Sequence, residues 1–314
     1  MARYLVTGGA GFIGCNLVRH VLAQGHGVVV LDDFSTGKRE NLAGVADRIE
    51  LIEGDIRDRP TVQRAVGGCA AIFHEAALGS VPRSVADPVT SHEVNVNGTI
   101  NVLEAARSVG VRRIVFAASS SAYGDQAESP KHESMVPDPI SPYAAGKVAC
   151  EAYMRGYAAV YGLQTLSLRY FNVFGPHQDP AGAYAAVIPA FVSRILRGER
   201  PVVYGDGEQS RDFCYIDNVC EANWLAAHAP ASVCNGQPIN IACGRRTTLN
   251  EILQQLRRLL DADVEAVYEG ARPGDVRHSQ ADVSRARDLI GYEPKVFFEE
   301  GLARSIDWYK DNLG

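Results

Sequence analysis

The run Tyr4-Leu5-Val6 enters Thr7-Gly8-Gly9-Ala10-Gly11-Phe12-Ile13-Gly14, a glycine-rich turn set between a short β-branched strand and an amphipathic helix. No other feature limits the fold of this chain as much. Glycines at 8, 11 and 14 let the backbone come close to a ligand, and the helix that starts there offers free N–H groups and the positive end of its dipole to an anion. A strand, a glycine turn and a helix in this order form the opening unit of a doubly wound nucleotide-binding sheet. The spacing is GxxGxxG, where GxGxxG is the commoner form.

The same rhythm continues to about residue 170. Strand candidates are Tyr4 to Val6, Val28 to Leu31, Ile49 to Ile52, Ala71 to Phe73, Ile114 to Phe116 and Leu166 to Leu168. Between them the periodicity predicts helices over Phe12 to Gln24, Val94 to Val109 and Tyr143 to Tyr161, the last announced by Ser141 as N-cap and Pro142 in the first turn. This alternation predicts an α/β, Rossmann-type doubly wound parallel sheet. After about residue 175 the texture changes to Gly- and Pro-punctuated loops, such as Gly205-Asp206-Gly207 and Arg272-Pro273-Gly274-Asp275, interleaved with helices over Leu249 to Leu260 and Val283 to Ile290. We expect residues 1–174 to form the nucleotide-binding domain and 175–314 mainly a smaller α/β substrate-binding lobe, with some exchange of chain between them.

With 314 residues the chain is long enough for one large or two unequal domains. It holds 46% hydrophobic and 22% charged residues, and no apolar run approaches the roughly 18 residues needed to span a bilayer. The first strand leaves no room for a signal peptide before the glycine turn, so a cytoplasmic location is expected. Seven scattered cysteines without a CxxC fit reduced thiols and neither a disulfide framework nor a metal site. A net charge of −6, with no stripe of Lys and Arg interleaved with aromatics, argues against a nucleic-acid partner.

The second predicted strand ends in Leu31-Asp32-Asp33, which puts a carboxylate where both hydroxyls of an adenine ribose would lie. That favours NAD, because a 2′-phosphate would meet like charge. Lys38 and Arg39 follow closely and would soften the preference if they face the ribose instead of solvent. Asp55 and Ile56 are candidates for contact with the adenine.

Tyr143 and Lys147 are four residues apart on a predicted helix and so share one face. A phenol, with an unperturbed pKa of about 10, needs a neighbouring positive charge to serve as a base near neutrality. Lysine supplies that charge and tyrosine moves the proton.

Taken with Ser119, these motifs resemble the extended short-chain dehydrogenase/reductase superfamily, and within it the UDP-sugar 4-epimerases. The resemblance spans essentially the whole chain. It is carried by Asn95-Val96-Asn97-Gly98-Thr99, Ser119-Ser120-Ser121-Ala122-Tyr123-Gly124-Asp125, Arg169-Tyr170-Phe171-Asn172-Val173-Phe174-Gly175 and Ser210-Arg211-Asp212-Phe213. It implies that Tyr143 takes the proton of a sugar 4-hydroxyl while C4 gives hydride to the nicotinamide, leaving a transient 4-keto sugar. Ser119 would hydrogen-bond the same oxygen, and Lys147 would hold the nicotinamide ribose. Dehydratases of the superfamily carry Asp-Glu where this chain has Ser120 and Ser121, so no group here performs an elimination. The hydride can only return, and return to the opposite face inverts C4. NAD is then regenerated each cycle and is expected to stay tightly bound.

The resemblance also assigns cofactor contacts to Gly8, Gly11, Phe12, Ile13, Gly14, Ser35, Thr36, Gly37, Ala76, Ala77, Asn95 and Phe171. It assigns sugar-nucleotide contacts to Ser80, Val81, Ser120, Ser121, Asn172, Val187, Tyr204, Arg211, Arg272 and Asp275. Ser279 falls where epimerases restricted to glucose and galactose carry tyrosine, and a serine leaves room for a 2-acetamido group. The expected substrates are UDP-GlcNAc and UDP-GalNAc together with UDP-Glc and UDP-Gal. Arg83 could instead face a uronic-acid carboxylate, which keeps a UDP-glucuronate 4-epimerase open, and a non-catalytic NAD-sensing protein is the alternative of another class. His74 and His278 are read as core or supporting residues. The resemblance further implies a homodimer through a four-helix bundle of Val94 to Val109 and Tyr143 to Tyr161 from each copy.

Overall fold

The computed structural model describes residues 1–179, 186–271 and 277–313. Seven parallel strands form the central sheet: β1 (Arg3–Thr7), β2 (Gly27–Asp32), β3 (Ile49–Glu53), β4 (Ala71–His74), β5 (Arg113–Ser119), β6 (Gln164–Tyr170) and β7 (Asn235–Ile241). Their order across the sheet is 7-6-5-4-1-2-3. Order reverses beside β1, so the carboxyl ends of β1 and β4 open the crevice in which such sheets bind ligands. The doubly wound α/β fold expected from the alternation is the fold observed.

The strands are buried on both faces by helices, which is why β1, β2, β4 and β5 read as apolar runs. Helices α1 (Phe12–Ala23) and α5 (Ile216–His228) pack together on one side, within a large core that continues through the second half of the chain. On the other side lie α2 (Arg59–Val66), α3 (Gly98–Val109) and α4 (Pro142–Tyr161), over a separate core that includes Leu5, Ile72, Ile114 and Met154.

Helix α4 begins and ends where the sequence says it should. Ser141 Oγ accepts the N–H of Ala144 at 3.1 Å, Pro142 takes the first turn, and Gly162 closes the helix in the left-handed region at φ 70°. The helix expected over Val94 to Val109 is less regular. Its first turn widens into a π-segment, Glu93–Asn97, before α3 proper starts at Gly98. A Cβ at Gly98 would come within 2.4 Å of the Ile56 side chain, so α3 packs tightly against the loop after β3.

β7 comes from the second half of the chain and completes the sheet beside β6. Short strands build the rest of that half. Val173–Phe174 pairs with Cys214–Tyr215, while Ser210–Arg211 is flanked by Thr247–Thr248 and His278–Ser279. The buried carboxylate of Asp212 accepts the N–H groups of Cys243 (2.9 Å), Gly244 (3.0 Å) and Ala281 (3.1 Å), tying this ribbon to the end of β7. Among the described residues no helix is long and apolar enough to cross a membrane.

Candidate active site

A cavity of about 460 Å³ runs along the carboxyl ends of β1, β2, β4 and β5. Its floor is the glycine turn. Gly8 has φ +68°, and a Cβ there would lie 2.8 Å from the Ala76 backbone; one at Gly14 would lie 2.1 Å from the Gly8 carbonyl oxygen. A side chain at Gly8 would push the turn away from the segment after β4, and one at Gly14 would push helix α1 away from the turn itself. Helix α1 starts at Gly11 with no side-chain cap and no acidic residue in its first turn. Gly11, Phe12, Ile13 and Gly14 line the cavity there, as a dinucleotide pyrophosphate requires.

Asp32, Asp33, Ser35 and Thr36 line the adenosine end. Asp32 is buried, and its two oxygens accept the N–H groups of Ala10 and Phe34, each at 2.8 Å, so it also braces the turn. Asp33 is exposed and holds Ser35 through its N–H and its hydroxyl at 2.9 and 2.7 Å. Gly37 does not line the cavity; it packs against Asp32 and Ala10, where a Cβ would come within 2.9 Å of both. Ile56 reaches the cavity wall, whereas the Asp55 carboxylate turns to Arg57, whose guanidinium holds it below the usual carboxylate range.

Both nearby cations are engaged. Lys38 pairs with Asp179 at 2.8 Å, and Arg39 pairs with Glu53 while stacking over the Phe34 ring at 4.0 Å. The segment that carries His177 and Asp179 lies as a strap along this end of the cavity. Asn16 Nδ2 donates to the Pro176 carbonyl (3.0 Å), and His177 Nδ1 lies 3.2 Å from Asn41 Oδ1. Burial and the charge of Arg19 lower the His177 pKa to about 4, so the ring is neutral at pH 7.

The other end of the cavity holds Tyr143 and Lys147. Lys147 is 3% exposed; its Nζ donates to the Ala117 carbonyl at 2.6 Å and lies 5.9 Å from the centroid of the Tyr143 ring. The ammonium thus faces the phenol ring across one helical turn. The N–H of Tyr143 donates to Ser84 Oγ at 3.0 Å, which fixes the start of α4 against the helix Val81–Ala86. One turn beyond Lys147, Glu151 holds the buried Arg169 of β6 at 2.7 and 2.8 Å, bracing α4 on the sheet.

Ser119 ends β5, and its hydroxyl caps the short turn Ser120–Tyr123. Its Oγ accepts from the N–H of Ser121 at 3.1 Å and from Ser121 Oγ at 2.9 Å. Ala76, Ala77, Ser80 and Arg83 line the wall beside Tyr143. Val81 is 40% exposed. Asn95 lies behind the wall: its side chain holds the N–H of Leu78 at 2.8 Å and so shapes the lining loop. Phe171 is fully buried with Tyr123 and Met135, away from the cavity wall.

Behind this wall stands His74, which the sequence reading places in the core, and on it Glu75, which that reading does not single out. His74 is fully buried, with Nδ1 2.7 Å from Thr7 Oγ1 and Nε2 2.9 Å from Thr99 Oγ1. Thr99 in turn donates to the Asn95 carbonyl, so Nε2 carries the proton. Burial lowers the His74 pKa to about 3, making it a neutral link between β1 and α3. Glu75 accepts from the Tyr170 hydroxyl at 2.8 Å, and burial raises its pKa to about 7.

The remaining sugar-nucleotide candidates follow β6 in the chain. Asn172, at φ +27°, donates to the Asp212 carbonyl at 3.2 Å. Arg211 and Ser279 are brought side by side on paired strands, with His278 bonded to Ser210 at 2.8 Å. Val187 opens the helix Val187–Leu196, and Tyr204 ends the strand Val202–Tyr204. Arg272 and Asp275 lie outside the described residues.

A doubly wound sheet with a glycine-cradled dinucleotide cavity, and a tyrosine and lysine at its far end, defines a nicotinamide-dependent enzyme of the short-chain dehydrogenase/reductase type. The chain belongs to the NAD dependent epimerase/dehydratase family, whose model matches residues 4–242. It is 41% identical to a UDP-glucose 4-epimerase of Mycolicibacterium smegmatis, covering 98% of this chain and 99% of that one. The fold superposes with a TM-score of 0.93 on a UDP-N-acetylglucosamine 4-epimerase of Methanobrevibacter ruminantium in complex with UDP-N-acetylmuramic acid. The two are 39% identical over 99% of this chain and 98% of that one. The Thermus thermophilus UDP-glucose 4-epimerase in complex with NAD has a TM-score of 0.88 and 38% identity, covering 99% of each chain. Relatives named UDP-glucuronate 4-epimerase and dTDP-glucose 4,6-dehydratase also match over nearly the whole chain. NAD is the cofactor of the family, and the glycine turn, the uncapped start of α1 and the acidic ribose end fit it.

Proposed function

We propose that this protein is an NAD-dependent UDP-sugar 4-epimerase that interconverts UDP-GlcNAc with UDP-GalNAc and UDP-Glc with UDP-Gal. One observation carries the reading: Tyr143 and Lys147 face the end of the dinucleotide cavity, while Ser120 and Ser121 follow Ser119 where an elimination would need an acid and a base. Bound in that cavity, NAD supplies a reversible hydride acceptor for C4, so that the sugar passes through a 4-ketone. Tyr143 Oη takes the O4 proton as the C4 hydride leaves and gives it back when the hydride returns to the opposite face. Lys147 Nζ lies beside the phenol, 5.9 Å from the ring centroid. Ser119 hydrogen-bonds O4. Arg211, Asn172, Tyr204 and Val187 are assigned to the nucleotide part of the substrate, with Arg272 and Asp275 completing the set by the same reading.

The purified protein, incubated without added cofactor with UDP-GlcNAc, UDP-Glc and UDP-glucuronate in parallel, is to be assayed for C4 epimers by chromatography. Formation of UDP-GalNAc is expected and would also report retained NAD. A second reading, UDP-glucuronate 4-epimerase, is favoured by Arg83, which lines the cavity beside Ser80 and could take a carboxylate. Turnover of UDP-glucuronate alone would select it. Absence of turnover with every sugar after NAD is added would select the non-catalytic, NAD-sensing alternative.

We also propose a homodimer formed through α3 and α4. Its support is the row of small or apolar residues that α4 exposes, Ala145, Ala152, Tyr153, Gly156, Ala159 and Val160. The seven cysteines are all free and buried, in keeping with the cytoplasmic location we assign.

A further inference from the structure

Resting on the epimerase reading above, we infer that Ser121 is a positioning residue that locks Ser119 as a hydrogen-bond donor toward the reacting sugar oxygen. A serine hydroxyl has one proton to give and two lone pairs to receive. Both lone pairs of Ser119 Oγ are filled from the same residue, by the N–H of Ser121 at 3.1 Å and by its hydroxyl at 2.9 Å. The proton of Ser119 must therefore point elsewhere. Ser119 ends β5 directly after Ala117 and Ala118, which line the cavity, and its one proton is left for a ligand bound there.

The direction of this bond bears on the chemistry. As O4 passes from a hydroxyl to a ketone it loses its proton to Tyr143 and gains negative character on the way. A fixed donor stabilises that oxygen more in the transition state than in the ground state. A serine with no vacant lone pair also cannot take the O4 proton, which leaves Tyr143 as the only acceptor. If the Ser121 hydroxyl were removed, one lone pair of Ser119 would be open and its proton would be shared between donating and non-donating rotamers. A carboxylate at 121 would go further: it would accept from Ser119 and turn its proton away from the sugar.

The test is a double-mutant cycle measured on whichever UDP-sugar the wild type epimerises. Ser121→Ala is expected to lower kcat about tenfold, the scale of one oriented hydrogen bond, with KM changed less than twofold and bound NAD unchanged. Ser121→Thr, which keeps a hydroxyl, should recover most of the loss. In a Ser119→Ala background, Ser121→Ala should cost less than twofold, because a residue that acts through Ser119 has nothing left to position. Wild-type kcat in Ser121→Ala would overturn the inference, as would a loss of the same size with and without Ser119. A wild type inactive on every UDP-sugar would overturn the epimerase reading itself, and with it this inference.

Discussion

Ser279 lies in register with Arg211, the two residues facing each other on the parallel strands His278–Ser279 and Ser210–Arg211. Paired residues of adjacent strands project to the same side of a sheet, so a side chain at 279 occupies space next to the arginine assigned to the diphosphate. If Ser279 leaves room for a 2-acetamido group, as the resemblance implies, a tyrosine there would fill it. Ser279→Tyr is expected to lower kcat/KM for UDP-GlcNAc more than tenfold, a steric cost of about 1.4 kcal/mol or more, while changing UDP-Glc turnover less than threefold. Parallel assays of the two sugars check this. Equal effects on both would remove Ser279 from the specificity argument.

Tyr143 is the only group given the proton transfer, so its removal should be severe and local. Tyr143→Phe is expected to reduce kcat by roughly 10² to 10⁴, the usual worth of a general acid–base group, with the protein folded and still holding NAD. Its backbone N–H to Ser84 does not depend on the phenol oxygen. Lys147→Ala should lose both activity and cofactor, because its buried ammonium serves the phenol and the cavity wall together. Activity and the NAD content of gel-filtered protein separate the two phenotypes.

The Lys38–Asp179 pair is about half exposed, with side chains 51% and 42% accessible, so it is worth at most about 1 kcal/mol. It nevertheless anchors the strap that crosses the adenosine end. Asp179→Ala is expected to speed loss of NAD a few-fold in a dilution chase, with kcat unchanged while the cofactor is saturating. The effect should shrink as salt is raised, since an exposed pair is screened. Salt-independent loss would point to some other role of the strap.

Glu75 gives a pH dependence whose sign can be worked out. Its folded pKa, raised by burial to about 7, exceeds the unfolded value of about 4.3. The native state therefore binds the extra proton between those limits, and the stability this contributes is complete below pH 4.3 and lost as pH rises through 7. Tyr170, which donates to it, and Lys147 pull the pKa down, without offsetting burial. Glu75→Gln keeps an acceptor for Tyr170 but carries no charge. Above pH 8 the variant should be more stable than the wild type by an amount on the order of 2 kcal/mol, and the two should converge below about pH 4.3, where Glu75 is protonated in both states. Denaturant melts across this range, at fixed NAD, provide the measurement.

The nucleotide half of this protein is legible in the sequence because burial on both faces writes β1, β2, β4 and β5 as apolar runs. β7 could not be read in this way. Its sequence, Asn235-Gly236-Gln237-Pro238-Ile239-Asn240-Ile241, carries glycine, proline and amides that signal a turn. It forms a strand because it lies at the edge of the sheet, where a bulge between Asn235 and Pro238 accommodates the residue that cannot donate to a ladder. The site shows the same division. The glycine turn and the pairing of Tyr143 with Lys147 are local patterns, set by backbone sterics and helical spacing. The Lys38–Asp179 pair, the His74 links to Thr7 and Thr99, and the Tyr170 bond to Glu75 join residues far apart in the chain, and only the fold brings them together.

The last expectation concerns the surface of α4. Ala145, Ala152, Gly156 and Ala159 recur at intervals of seven, four and three residues, a single exposed stripe of small side chains, with Tyr153 and Val160 alongside at 41% and 72% exposure. Small residues let a second helix approach closely, and the apolar flank would be buried with it. α3 is held beside α4 by the Tyr157 hydroxyl, which donates to Glu104 at 2.8 Å, so the two helices present one surface. A twofold axis through that surface would make a four-helix bundle with the stripe at its centre. Ala152→Arg places a long charged side chain in the middle of the stripe, where a partner helix would leave it buried and unpaired. Light scattering after gel filtration is expected to show a dimer for the wild type and a monomer for the variant, with NAD still bound. A variant that remains dimeric would move the interface to another face.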